Sequence, residues 1–382
     1  MKKQLQFILI LIFITPLSSI AQWGYTYDST KVYLDQIRKS PFVTVASIGK
    51  SVEQRDLWMV TIMDTSSHFD QMYRVVIHAR THPGEVSSQW LTQRIIDQLI
   101  GDSDIAKAVR YRVVFNIVPM YNPDGVELVL PRENAHGIDL ERNWFAEIPE
   151  PECAALKAKY LELMNSFVPI RIALNMHMDS GADSAYFFFH LSDGTSAEYA
   201  EDEKHFITGV KKYWTEGIAN WDYQKSWGTG NPMLFPESWF WFNYQQSVMA
   251  LTFEETRVST RYDASLDSAA YAILFGIRDY LELPTSADER IISSPTVYNL
   301  EQNYPNPFNP NTTIQYALST KQKVSLKVFD LLGREVALLV NEEKEPGTYS
   351  VKFDASELAS GTYIYRINAG SFSVSRKLML LK

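Results

Sequence analysis

The chain has 382 residues, enough for one large domain with a small one or for two medium domains, and its 46% apolar content excludes wholesale disorder. Its 36 Lys and Arg against 45 Asp and Glu give a net charge of −9 with no long basic run, which argues against nucleic acid as a partner. At the N-terminus, Lys2 and Lys3 precede an apolar stretch, Phe7 to Ile14, and then Ser19-Ile20-Ala21, a small-x-small pattern. This predicts a secretory signal over residues 1–21. The rival reading is a transmembrane anchor, but the run is short of the ~20 apolar residues a bilayer requires, and Pro16 interrupts it. No later segment reads as membrane-spanning, so the mature chain is expected to lack an integral membrane segment. The one cysteine, Cys153, excludes an intramolecular disulfide. It sits in Glu-Pro-Glu-Cys-Ala-Ala, which reads as a helix start rather than a nucleophile site.

From residue 22 to 284, strand-like apolar runs alternate with helical patterns. The runs include Arg74 to Ile77, Arg112 to Pro119, Ile170 to Met176 and Val248 to Phe253. An amphipathic helix is predicted over Val86 to Ile100, and another over Leu266 to Leu283. Such alternation predicts an α/β domain with a mixed, mostly parallel sheet flanked by helices. Residues 285–302 read as a polar linker. Beyond it, the Pro/Asn cluster Asn303 to Asn311 opens a series of short strands: Thr312 to Leu318, Val324 to Phe329, Glu335 to Val340, Gly347 to Phe353, Thr362 to Ile367 and Ser373 to Leu381. Turn residues separate them, which predicts a small all-β sandwich over 303–382.

Of seven histidines, two stand in chemically suggestive places. His82 and Glu85, in Ala79-Arg80-Thr81-His82-Pro83-Gly84-Glu85, are three apart where a strand gives way to a helix, so their side chains can converge. His177 closes the run Ile170 to Met176, and open α/β sheets gather ligands at the carboxyl ends of their strands. His82, Glu85 and His177 are therefore the expected metal ligands. A catalytic metal needs a carboxylate base nearby, and Glu254, at the end of another strand, is the expected one. The turn Asn122-Pro123-Asp124-Gly125 is followed by Arg132, Asp139 and Arg142. Two arginines on one rim suit carboxylate recognition and oxyanion stabilisation.

Together these motifs resemble the zinc carboxypeptidase family, closest to its cytosolic-carboxypeptidase-like branch. The resemblance is carried by Ala79 to Trp90, Asn122 to Val126 and Gly137 to Trp144, and it spans about Tyr25 to Leu283. It implies one zinc ion on His82, Glu85 and His177, with Glu254 as general base and Arg132 as oxyanion partner. It further implies that Asp139 orients His82 and that Arg142 holds the substrate's terminal carboxylate. Two departures stand out. Glu141 occupies a position where the family has Asn, and is expected either to repel a carboxylate or to engage Arg142. The loop before Glu254 is Trp-rich (Trp227, Trp239, Trp241), with Tyr223 and Tyr244 as candidates for a substrate-binding tyrosine; the tryptophans read either as core or as a cleft wall.

The C-terminal unit resembles the type A sorting domain of the type IX secretion system. The signature is Asn-Tyr-Pro-Asn-Pro-Phe-Asn-Pro at 303–310, the Phe329 to Val336 hairpin, the Ser360 to Tyr365 strand and Lys377-Leu378-Met379. This implies the type IX machinery as a partner and a secreted or cell-surface location reached through the periplasm. An adhesion or binding module of immunoglobulin type is the alternative. The expected function is a secreted zinc metallopeptidase of carboxypeptidase type acting on peptide or protein substrates. The alternatives are a zinc amidase acting on cell-wall peptides or other acylated amines, and an inactive surface binding protein.

Overall fold

A computed structural model describes residues 25–64, 72–190, 194–220, 224–225, 234–283, 298–370 and 372–382. The expected signal segment, most of the linker, Tyr223 and Trp227 lie outside them. The chain divides into two compact units, one of Met1–Thr65 with Tyr73–Leu283 and one of Ser66–Met72 with Pro284–Lys382.

In the first unit, the elements follow the order α1 (Tyr27–Ile37), β1 (Val43–Lys50), β2 (Asp56–Ile62), β3 (Tyr73–Ala79), α2 (Val86–Ile100), α3 (Asp104–Arg112), β4 (Val113–Val118) and α4 (Pro123–Glu127). Then come α5 (Pro151–Met164), β5 (Ile170–Asp179), β6 (Tyr186–Phe189), α6 (Ala197–Lys211), β7 (Gln224–Lys225), α7 (Pro236–Tyr244), β8 (Met249–Thr256) and α8 (Ala264–Tyr280). The strands form one sheet in the order β1-β2-β4-β3-β5-β8-β6-β7. Its middle pairings, β4-β3-β5-β8, are parallel, and antiparallel strands flank them.

Strand periodicity divides the core in two. Ile172, Leu174 and Met176 of β5, with Met249, Leu251 and Phe253 of β8, pack among the apolar faces of α1, α2, α3, α6 and α8. Ala173, Val248 and Ala250 point the other way, toward Cys153, Leu156 and Tyr160 of α5 and Trp239 and Phe240 of α7, and Ile170 joins them because the β3–β5 ladder shifts register between it and Ile172. Cys153 is buried there, a helix residue as expected, and burial pushes its thiol up to about 12.

The second unit has two sheets. One is β13-β10-β9 and the other β12-β11-β14-β15, with β9 (Asn299–Leu300), β10 (Asn311–Leu318), β11 (Gln322–Phe329), β12 (Glu335–Lys344), β13 (Gly347–Asp354), β14 (Gly361–Ala369) and β15 (Phe372–Leu380). Inward residues of both sheets, among them Ile314, Leu326, Tyr365 and Leu380, build its core. Asn303 organises the Pro/Asn cluster. Its amide hydrogens donate to Pro305 O at 3.0 Å and Thr312 Oγ1 at 2.9 Å, and its backbone N–H donates to Tyr365 Oη at 2.8 Å. One difference from the sequence reading concerns β9, which falls within the stretch read as linker. Leu300 is buried in the sandwich core and pairs with Tyr316. A two-residue strand is too short to show a period.

Candidate metal centre and active site

The side chains that face α5 and α7 from the centre of the sheet include Asn175 and His177 of β5 and Thr252 and Glu254 of β8, by the alternation just described. The two strands run three residues further than their sequences suggest, because β5–β8 pairing continues through His177↔Glu254 to Asp179↔Thr256. His177 and Glu254 therefore lie inside paired strands rather than beyond their ends, and as register partners they project on the same face.

His82 and Glu85 arrive from the loop between β3 and α2. Buried Arg80 holds that loop from within: its Nε donates to Pro83 O at 2.6 Å and its Nη1 to Gln89 Oε1 at 2.6 Å. Arg80 adopts φ 60°, a region that non-glycine residues seldom occupy, and those bonds fix it there. The Asn-Pro-Asp-Gly turn braces the loop from the other side. Asn122 Nδ2 donates to Thr81 O at 3.1 Å and its Oδ1 accepts from Gly125 N at 3.0 Å. Buried Asp124 accepts from Ser51 Oγ, the Glu53 backbone and Arg55. These residues position the site without reaching into it.

His82, Glu85 and His177 converge, each offering a ligand atom within 4.8 Å of the others. His82 Nδ1 lies 2.6 Å from Glu85 Oε1, His177 Nδ1 lies 2.9 Å from Glu85 Oε2, and the two Nδ1 atoms are 3.2 Å apart. Two imidazole lone pairs and a carboxylate facing one point repel one another unless a cation lies between them, so the donor set fits a divalent metal. Burial alone lowers the tendency of the histidines to hold a positive charge. Asp139 and Glu85 outweigh it for His82, and Glu85 and Glu141 outweigh it for His177, which is held well above the usual histidine range. Burial raises the Glu85 carboxyl, but the two histidines hold it down at about 2. The two histidine shifts favour positive charge at this point, and the Glu85 shift keeps its carboxylate ionised beside it.

The outer ring nitrogens are held as well. His82 Nε2 meets Asp139 Oδ1 at 3.1 Å, the contact that the family resemblance implies. His177 Nε2 meets Glu141 Oε2 at 3.2 Å. The expectation for Glu141 is thereby corrected: its side chain is buried against His177 and Asn175 rather than paired with Arg142. Arg132 donates from Nε to Asp139 Oδ2 at 2.8 Å, and Arg142 Nε lies 3.5 Å from the same oxygen. Both arginines are more than 40% exposed, at 45% and 57%, and among the described residues their remaining donors meet no partner, which leaves them able to meet a ligand.

Among the described residues no hydrogen bond or ion pair engages the Glu254 carboxylate. Burial pushes it up to about 8, with His177 opposing and Glu85 and Glu141 reinforcing. Glu255 faces the opposite side and is buried against Thr256, so it takes no part in the site. Trp239 and Trp241 belong to the core, packed on Trp144 and Tyr199. Tyr244 is half-buried against Trp239 and Phe240.

The model of the zinc carboxypeptidase family matches residues 30–254, and that of a secretion system C-terminal sorting domain matches residues 302–381. Cytosolic carboxypeptidase 6 of Mus musculus is 34% identical over 190 residues, covering 48% of this chain and 34% of the mouse protein. Its Homo sapiens counterpart is also 34% identical, over 48% of this chain and 36% of its own length. The matched region thus spans about a third of each of these relatives. Among solved structures, a metallo-carboxypeptidase from Burkholderia cenocepacia superposes with a TM-score of 0.57 at 20% identity, covering 68% of this chain and 69% of that one. Thrombin activatable fibrinolysis inhibitor gives 0.54 at 14% identity, over 71% and 77%. At such identities the likeness is one of fold.

Proposed function

The chain belongs to the zinc carboxypeptidase family, and from that premise we propose that it is a secreted zinc-dependent metallopeptidase that removes residues from peptide C-termini. One observation carries the reading: His82, Glu85 and His177 converge while the unengaged Glu254 carboxylate stands in register beside His177. A zinc ion on those three residues would supply Lewis acidity toward a water and a scissile carbonyl. Glu254 takes the proton of the attacking water and delivers it to the leaving amine. A carboxylate whose pKa burial has raised is a stronger base than an exposed one, and a neighbouring cation keeps it ionised. Arg132 stabilises the developing oxyanion, and Arg142 binds the substrate's terminal carboxylate.

An amidase acting on amine-bearing substrates would need a receptor for an ammonium group. Glu141, buried against His177 and Asn175, is not placed to be one. The sorting-domain match supports export through the type IX machinery to the cell surface or medium. Among the described residues no helix is long and apolar enough to cross a membrane.

Mass-spectrometric readout of a mixed peptide library tests the reading. The expected products are peptides shortened from the C-terminus, absent after chelation and with Glu254→Gln, whose rate falls by at least ~10²-fold. Internal cleavage, or full activity after chelation, would overturn it.

A further inference from the structure

We infer that Glu141 is a positioning residue for the metal centre: it fixes the orientation and tautomer of His177 as Asp139 does for His82. The inference rests on the zinc reading above and deepens it. The geometry begins with one tight turn. Asp139 caps the single 3-10 turn Leu140–Arg142, its Oδ1 accepting from Glu141 N at 3.0 Å. Leu140 is fully buried and anchors the turn in the core. Asp139 and Glu141, two apart, therefore project toward different histidines, while Arg142 turns outward.

Glu141 is 5% exposed, and three contacts aim it. Its Oε1 and Oε2 accept from Asn175 Nδ2 at 2.9 and 3.0 Å, and Oε2 meets His177 Nε2 at 3.2 Å. Asn175 is two residues before His177 on the same face of β5, and its Nδ2 also lies 3.3 Å from Thr252 Oγ1. Asn175 thus anchors the carboxylate from the strand that carries the histidine. A carboxylate beside Nε2 keeps that nitrogen's proton in place, which leaves Nδ1 with its lone pair toward Glu85 and His82. Both histidines present Nδ1 to the centre for the same reason, and one three-residue segment, Asp139 to Glu141, supplies both partners. Three carboxylates, Glu85, Asp139 and Glu141, then surround two imidazoles, a charge arrangement that tightens the hold on a divalent cation.

Glu141→Gln keeps the volume but removes the charge, and it places an N–H₂ group where a carboxylate accepted from both Asn175 and His177. Glu141→Asp keeps the charge. The probe is zinc alone, titrated into the full-length metal-free protein against a chromophoric chelator. The thermal midpoint of the metal-free form serves as the folding control. Cobalt(II) substitution reports the ligand geometry through its visible spectrum. Glu141→Gln should bind zinc about 10- to 100-fold more weakly, with an altered cobalt spectrum and a metal-free midpoint no lower than wild type. Glu141→Asp should recover most of the affinity. Wild-type zinc affinity in Glu141→Gln would overturn the inference. So would a loss matched by destabilisation of the metal-free protein and left unrescued by Glu141→Asp. A wild-type protein that binds no zinc would instead sink the metallopeptidase reading itself.

Discussion

Arg132 and Arg142 meet the same Asp139 oxygen, yet they should differ in what their loss costs. Arg142 is the more exposed, and its contact with Asp139 is the longer, so it is the freer to bind a substrate carboxylate. Arg142→Ala should raise KM for peptides with a free C-terminus about 10- to 100-fold with kcat little changed, the worth of a charged hydrogen bond. C-terminally amidated peptides should show no further loss. Arg132→Ala should lower kcat instead, by roughly 10²-fold, as expected for an oxyanion donor. Steady-state kinetics on the paired substrates checks both. At this scale the sequence was informative wherever spacing maps directly onto geometry. His82 and Glu85 converge because three residues at a helix start bring side chains together. Glu141 was not legible. Adjacency to Arg142 suggested a partner, and only the tight turn shows that neighbours in the chain point in opposite directions.

Elements place these residues, and two substitutions test how firmly. Gly125 packs against the metal loop: a Cβ there would lie 2.4 Å from Pro83 Cγ and 2.5 Å from Glu133 O, with backbone on one side and a rigid ring on the other. Gly125→Ala should therefore cost about 1–3 kcal/mol and shift Pro83, next to His82, which a denaturant midpoint and a zinc titration would both register. Strand β8 carries a second strain, of charge. Glu255 is fully buried, and burial pushes its carboxyl from an ordinary 4.5 up to about 7. Between those values the native state holds a proton that the unfolded chain has lost. Stability from this group is thus complete below about pH 4.5 and is lost as pH rises through about 7. Glu255→Gln should match wild type in urea titrations at pH 4.5 and exceed it at pH 8, by about 3 kcal/mol at most. No gain at pH 8 would mean that the carboxyl ionises there without penalty. The strands and helices themselves were largely visible in the sequence, since a period of two or of 3.6 needs only the apolar pattern. Where β5 and β8 end was not visible, because polar residues such as His177 and Glu254 continue the backbone ladder while breaking the apolar run.

At the scale of the whole chain, the two units have separate cores, and the texture change in the sequence marked them. What texture could not mark is where the second unit begins. Its Pro/Asn signature opens at Asn303, but Leu300 is 1% exposed in the sandwich core, and Glu301 N donates to Gln315 O at 2.8 Å. A segment cut at Asn303 loses β9 and uncovers the apolar surface that Leu300 fills, at a cost of about 2–5 kcal/mol if it compares with a large-to-small core substitution. The export proposal can be tested with that difference in hand. A chain ending at Leu283 should keep hydrolysis within about twofold, because every residue assigned to the site precedes that point. In a host with type IX secretion it should remain in the periplasm. A reporter fused to residues 284–382 should reach the medium or cell surface, and one fused to residues 303–382 should do so less efficiently and succumb to protease sooner. Equal export of both reporters would show that β9 is dispensable to the sorting signal. Periplasmic retention of the longer one would make the second unit a binding module, its turn-rich sandwich serving the surface of the enzyme rather than its passage.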